Sequence, residues 1–166
     1  WAPAPRRWNG KRPAVRVFRR RWFAFHRWGR DRRLIRFDYS VFREGKAPVI
    51  PVEFWGRGRW HNLWVYVDSG ASFTILHTYE ASRLGVDLRK CPKFYIVVAG
   101  DRRIPVFTRT LKLRLDRTVV PVEVGFCSAL GGAFNLLGRK GVFDRFKVCF
   151  DDRNETVSFN KGGRRR

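Results

Sequence analysis

Leu63-Trp64-Val65-Tyr66-Val67-Asp68-Ser69-Gly70-Ala71-Ser72-Phe73-Thr74-Ile75-Leu76 is the stretch whose reading decides the fold. An apolar run meets a single carboxylate, small residues follow, and the chain turns apolar again. Burying an unpaired carboxylate costs several kcal/mol or shifts its pKa, so a buried strand does not end on one without a reason. Either Asp68 sits in an ordinary turn or the protein is built to hold it.

Outward from this stretch the pattern is that of a β protein. Val49 to Trp55 reads as a strand, with Pro51 favouring an edge or a strand end. Gly56-Arg57-Gly58-Arg59 is a turn, and Trp60 to Val67 is the next strand. Its continuously apolar end predicts cover on both faces. Thr78 to Gly85 predicts a short helix, capped by Thr78 at its start and closed by Gly85 in a left-handed conformation. Phe94 to Val98 and Ile104 to Leu115 form a hairpin whose tip is Ala99-Gly100-Asp101-Arg102. Leu111, Leu113 and Leu115 alternate with Lys112 and Arg114, so that strand shows one face to water. Val119 to Val124 is a further strand, and Asn135 to Leu137 leads into a second short helix. Phe146 to Phe150 and Thr156 to Phe159 make a last hairpin.

Bulk composition sets the limits. The chain has 166 residues, 44% of them hydrophobic, enough for one domain with some extra length. No apolar run approaches the ~20 residues that span a bilayer, so no membrane association is expected. Net charge is +22 and the pI is near 11.5, which favours polyanions as contacts and says little about fold. Cys91, Cys127 and Cys149 are odd in number and scattered, which argues against a disulfide framework and fits a reducing, cytoplasmic compartment. His26, His61 and His77 show no metal-ligand spacing, so neither a metal nor another cofactor is expected.

Three segments follow. Residues 1–46 are a basic, aromatic-rich extension, expected to be disordered or not native coding sequence. Its arginines interleave with Trp8, Phe18, Trp22, Phe23, Phe25 and Trp28, a composition that also fits weak nucleic-acid contact. Residues 47–160 are the domain, and residues 161–166 are a basic tail.

Asp-Ser/Thr-Gly alone is a common turn. Here it ends an apolar strand, and a second feature, Leu136-Leu137-Gly138-Arg139, comes later. Together they resemble the retropepsin-like aspartic proteases, and the short single-lobed bacterial members more than the viral ones. Asp68-Ser69-Gly70-Ala71 is similar to that family's Asp-Thr/Ser-Gly-Ala motif, and Leu136 to Arg139 to its apolar-apolar-Gly-Arg motif. The resemblance covers about residues 47–160. It implies a mainly β, retropepsin-like acid-protease fold: one lobe, a closed barrel or sandwich, two short helices and a flap hairpin at Val98, Ala99, Gly100 and Asp101.

The resemblance also implies an aspartic endopeptidase with no cofactor, acting on peptide or protein substrates and inhibited by pepstatin-type compounds. Amide hydrolysis needs one group to activate water and another to protonate the carbonyl oxygen. Two neighbouring carboxylates do both, because they cannot both ionise and one keeps a proton. No second Asp-Ser/Thr-Gly follows Asp68, so the implied active form is a homodimer with one Asp68 from each subunit. In it Ser69 would hold the carboxylates coplanar, Gly70 would donate its N–H to a carboxylate, and Ala71 would line the site. Gly138 would allow a close backbone approach, with Leu136 and Leu137 in the core.

The chain departs from the family at several points: Ser69 replaces the commoner Thr, and the terminal strands that interleave in the viral dimer have no clear counterpart in the basic ends. Ser72 stands where viral members carry an Asp that pairs with the motif arginine. Arg139 therefore either lacks a partner or finds another, such as Asp144. The flap tip has only Gly100. Two alternatives stay open: a noncatalytic peptide-binding module on the same scaffold, and a basic nucleic-acid-binding β domain. The chain begins with Trp1 and contains no methionine, so the native product is expected to begin near Leu34 or Ile35. Intact-mass measurement of the native protein tests this, and a mass that includes Trp1 contradicts it.

Overall fold

The structure, a computed structural model, describes residues 34–42, 45–98, 102–128 and 134–161. In chain order the elements are β1 (Leu34–Asp38), β2 (Ser40–Phe42), β3 (Gly45–Ala47), β4 (Val49–Gly56) and β5 (Arg59–Val67). Then come β6 (Thr74–His77), α1 (Thr78–Leu84), a 3-10 turn (Leu88–Lys90), β7 (Lys93–Val98) and β8 (Arg102–Leu115). β9 (Thr118–Cys127), β10 (Asn135–Leu137), β11 (Phe146–Asp151) and β12 (Thr156–Lys161) complete the described chain. The fold is mainly β.

Strands β4-β5-β10-β6-β9-β8-β7 form one sheet, and β8 also pairs with β4, which closes six of them into a ring. The closing contact is short, Glu53 opposite Arg114 and Phe54 opposite Leu113. It is reinforced by a bidentate ion pair, with Arg114 donating to both Glu53 carboxylate oxygens at 2.6 Å. The guanidinium also lies 4.4 Å from the centre of the Trp60 ring. Two parallel N–H···O bonds fix geometry as well as energy, so this pair pins the ring where its ladder is thinnest.

Alternation along each strand fills the ring. Ile50, Val52 and Phe54 from β4, Leu63, Val65 and Val67 from β5, and Val120, Val122 and Val124 from β9 all point inward and are buried. A second sheet, β1-β12-β11, adds Ile35, Phe146, Val157 and Phe159 to the same core. Alternation also corrects one expectation. Trp60 to Val67 is not covered on both faces: His61, Leu63, Val65 and Val67 are buried, while Trp64 is 50% exposed.

Other expectations shift in detail. The folded unit starts before residue 47, because Leu34 to Asp38 pairs antiparallel with β12 and β2 pairs with β3. The first helix is α1, but its N-cap is His77, whose Nδ1 accepts from the Tyr79 N–H, instead of Thr78. Gly85 ends it in the left-handed region at φ 73°, as its lack of a Cβ allows. After Gly138 the chain makes successive turns, with Phe143 N bonded to Arg139 O and Phe146 N to Val142 O, instead of a second α-helix. The other short helix is the 3-10 turn at Leu88–Lys90, where the Asp87 side chain accepts from the Arg89 N–H. The 1–33 part of the extension, the tip residues Ala99, Gly100 and Asp101, and residues 162–166 lie outside the described residues.

The topological feature that positions the site is β10. It lies between β5 and β6, parallel to the first with Leu136 opposite Tyr66, and antiparallel to the second with Leu136 opposite Ile75. The chain then passes directly behind the loop joining β5 to β6. A Cβ added at Gly138 would come within 2.3 Å of the Phe73 carbonyl carbon and oxygen. Those are backbone atoms and cannot swing aside. Gly138→Ala is therefore expected to destabilise the fold by about 1–3 kcal/mol or more, as overpacking does. Denaturant unfolding measures this, and an unchanged midpoint would contradict the packing described.

Candidate active site

Asp68 continues the line of β5 beyond Val67. Its N–H donates to Leu137 O at 3.0 Å, so β10 holds the point at which the strand gives way to the loop. A tight turn follows, with Ala71 N bonded to Asp68 O at 3.3 Å. Inside that turn Gly70 N donates to Asp68 Oδ1 at 2.8 Å. A backbone N–H on a carboxylate oxygen orients the group. Asp68 is half-buried, whereas Ser69, Gly70 and Ser72 are exposed and Ala71 is half-buried. The loop thus sits at the surface with its carboxylate partly shielded.

The second motif clamps this loop from behind. Arg139 N donates to Ala71 O and Lys140 N to Ser72 O, each at 3.0 Å. Gly138 N donates to the hydroxyl of Thr74 at 3.3 Å, and Thr74 is fully buried. Leu137 is buried in the main core. Leu136 faces the other way, into a second apolar cluster with Ile75, Ile104, Val106 and Cys127, against which Phe73, Phe94 and Ile96 pack. The residues singled out in the two sequence motifs are therefore brought together, Asp68 to Ala71 in front and Leu136 to Arg139 behind. Of the alternatives for Arg139, Asp144 is not its partner. Asp144 pairs with Arg145 at 3.3 Å, and Arg139 has no carboxylate partner among the described residues.

Two supports carried no sequence signal that singled them out. Asn135 is buried just before the apolar pair. Its Oδ1 accepts from His77 N at 2.9 Å and its Nδ2 donates to Trp64 O at 3.2 Å. One amide side chain thus ties β5 to the start of α1. A polar residue heading a short apolar strand was the available clue. Thr74, buried under the loop with its hydroxyl on Gly138, read only as part of a strand.

The β7–β8 hairpin stands over the second apolar cluster. Its described register runs from Lys93 opposite Phe107 to Val98 opposite Arg102. Phe94, Ile96, Ile104 and Val106 belong to the face turned toward the cluster. Phe73 of the Asp68 loop meets Phe94 edge to face, with ring centroids 5.5 Å apart. The hairpin is thus in contact with the loop that carries the carboxylate. Among the described residues no three His, Cys, Asp or Glu side chains come together to hold a metal ion. No helix of these residues is long and apolar enough to cross a membrane. Of the cysteines, Cys127 is buried, Cys91 half-buried and Cys149 exposed.

No family model matches the sequence, and no curated protein matches it. Among solved structures, a retropepsin-like aspartic protease from Rickettsia conorii superposes with a TM-score of 0.56 at 20% sequence identity, covering 77% of this chain and 92% of that one. The inhibitor-bound EIAV protease gives a TM-score of 0.47 at 20% identity, covering 60% of this chain and 88% of that one. The assignment rests on the first of these together with the strand order and the clamped loop: this chain has the retropepsin-like acid-protease fold.

Proposed function

We propose that the protein is an aspartic endopeptidase whose catalytic unit is a two-fold homodimer. The observation that carries this reading is the Asp68 loop itself. A half-buried carboxylate is oriented by the Gly70 N–H, and its loop is locked by three backbone bonds to the second motif, in a fold whose solved neighbour is an aspartic protease. A turn needed only to reverse the chain has no use for that much backbone constraint on one acid.

One chain supplies one such carboxylate, and hydrolysis needs a pair. A two-fold axis beside the loop sets Asp68 opposite its own copy, since an isologous interface presents the same residue from both sides. The exposed Ser69 and Gly70 lie where such a contact would form. One carboxylate, ionised, takes a proton from a water as its oxygen attacks the peptide carbonyl carbon. The other, protonated, gives its proton to the carbonyl oxygen. The tetrahedral diol then collapses, the C–N bond breaks, and the leaving amine takes up a proton. The hairpin β7–β8 would lie over the extended substrate, with strand-like backbone pairing as the mode of recognition.

Asp68→Asn is expected to lower peptide cleavage by at least about 10²–10⁴-fold, the range typical of a lost acid–base group. Wild-type cleavage should be favoured in acid and fall as the pH rises, because the dyad works with one proton between two carboxylates. Digestion of a peptide library across pH, with both proteins, measures this. Equal rates for the two would overturn the assignment. An intact dimer that retains peptides and cuts none at any pH would mean a noncatalytic peptide-binding module.

A further inference from the structure

Three tryptophans share one outer face of the strand ring. Trp60, Asn62 and Trp64 alternate along β5 with the buried His61, Leu63 and Val65, so all three face outward. Trp55 of β4 stands directly opposite Trp60 on the same face. The two indoles meet edge to face, with ring centroids 5.2 Å apart. Trp64 is 50% exposed and Trp55 39%. Clustered indole surface left in water marks a surface used for binding.

The face is rigid and carries unmatched positive charge. Glu53 lies opposite Asn62 on β5 and opposite Arg114 on β8, and its charge is matched by the bidentate bond from Arg114. The same guanidinium sits over the Trp60 ring, 4.4 Å from its centre, so indole and cation are held as one unit. Carrying the β4–β8 register one residue further brings Lys112 level with Trp55, and Arg59 precedes Trp60 at the start of β5. Both are exposed, and neither makes an ion pair with a described carboxylate. Asn62 adds an independent sign of a ligand. It lies between Trp60 and Trp64, and its Oδ1 is buried with no hydrogen-bond partner. A buried acceptor without a donor is costly, and an amino group lodged between the indoles would satisfy it.

We propose that this face is a stacking platform for single-stranded nucleic acid, with bases on Trp64 and Trp55 and phosphates on Lys112 and Arg59. Charge selects this occupant over a second copy of the chain. At a net +22 the protein repels itself and draws in a polyanion. Unpaired bases offer π faces to aromatic side chains whatever the sequence, and adenine also carries an exocyclic amino group that Asn62 can accept from. The platform is independent of the protease reading, since neither the indoles nor the two cations belong to the Asp68 loop.

The test uses the full chain and three fluorescent strands of equal length: deoxyoligoadenylate, ribo-oligoadenylate and an abasic deoxyribose-phosphate strand. Fluorescence anisotropy gives the affinity of the wild type, Trp64→Ala, Trp64→Phe and the double variant Trp55→Ala/Trp64→Ala at fixed salt. Trp64→Thr, a strand-favouring replacement, stands in if Trp64→Ala does not fold. The wild type should bind an oligoadenylate more tightly than the abasic strand, and the tighter of the DNA and RNA strands names the natural source. Trp64→Ala should weaken oligoadenylate binding by about tenfold and the double variant by more, with Trp64→Phe recovering most of the loss. Affinity for the abasic strand should not move. Equal wild-type affinity for abasic and adenylate strands, or variants that bind as tightly as the wild type, would assign binding to charge alone, including the arginines of residues 1–33, and would overturn the proposal. Absence of binding would overturn it as well. So would a wild-type assembly that Trp64→Ala dissociates, because the face would then belong to a second copy.

Discussion

The structure depends on a close backbone crossing. Strand β10 threads between β5 and β6 and brings the Leu137 to Lys140 backbone against the loop from Asp68 to Thr74. Each partner supplies what the other lacks. The loop has carbonyls at Ala71 and Ser72 that no strand would satisfy, and the segment after β10 has N–H groups at Arg139 and Lys140 with no ladder of their own. Ala71 is half-buried while Ser72, Arg139 and Lys140 are exposed, so each of these bonds contributes about 0.5–1.5 kcal/mol and, more than that, fixes the loop against the segment behind it. Gly138 makes the approach possible at all.

That crossing also explains why a carboxylate can end a core strand. Asp68 is the first residue past the buried run, its N–H is held by Leu137 O, and its side chain turns to accept from Gly70. The charge stays at the surface while its backbone stays in the sheet. The ring closure by Glu53 and Arg114 on the far strand is separate from this and fixes the frame on which the loop is mounted. The position of the carboxylate follows from these constraints.

Much of this was legible in the sequence because the signals are local. Alternation in Val49 to Trp55, Leu111 to Leu115 and Val119 to Val124, with glycine and Asp-containing turns between, gave strands close to those observed. The two site motifs could be placed together through their resemblance to a family. What was missed is non-local. Leu34 pairs with Asn160, and nothing in the arginine-rich surroundings of β1 marks it as half of a sheet whose partner lies near the other end. Trp64 read as buried because hydrophobicity does not say which face of a strand is covered.

The central claim is that each chain holds half a catalytic site, and subunit mixing tests it most directly. Wild-type and Asp68→Asn chains are unfolded together in equal amounts, refolded so that partners exchange at random, and assayed for peptide cleavage at fixed total protein. If both carboxylates are required, only wild-type pairs cut, and activity falls to about one quarter of the all-wild-type value for a two-fold dimer. Activity of about one half, tracking the wild-type chain fraction linearly, would mean that each chain acts alone and would contradict the account.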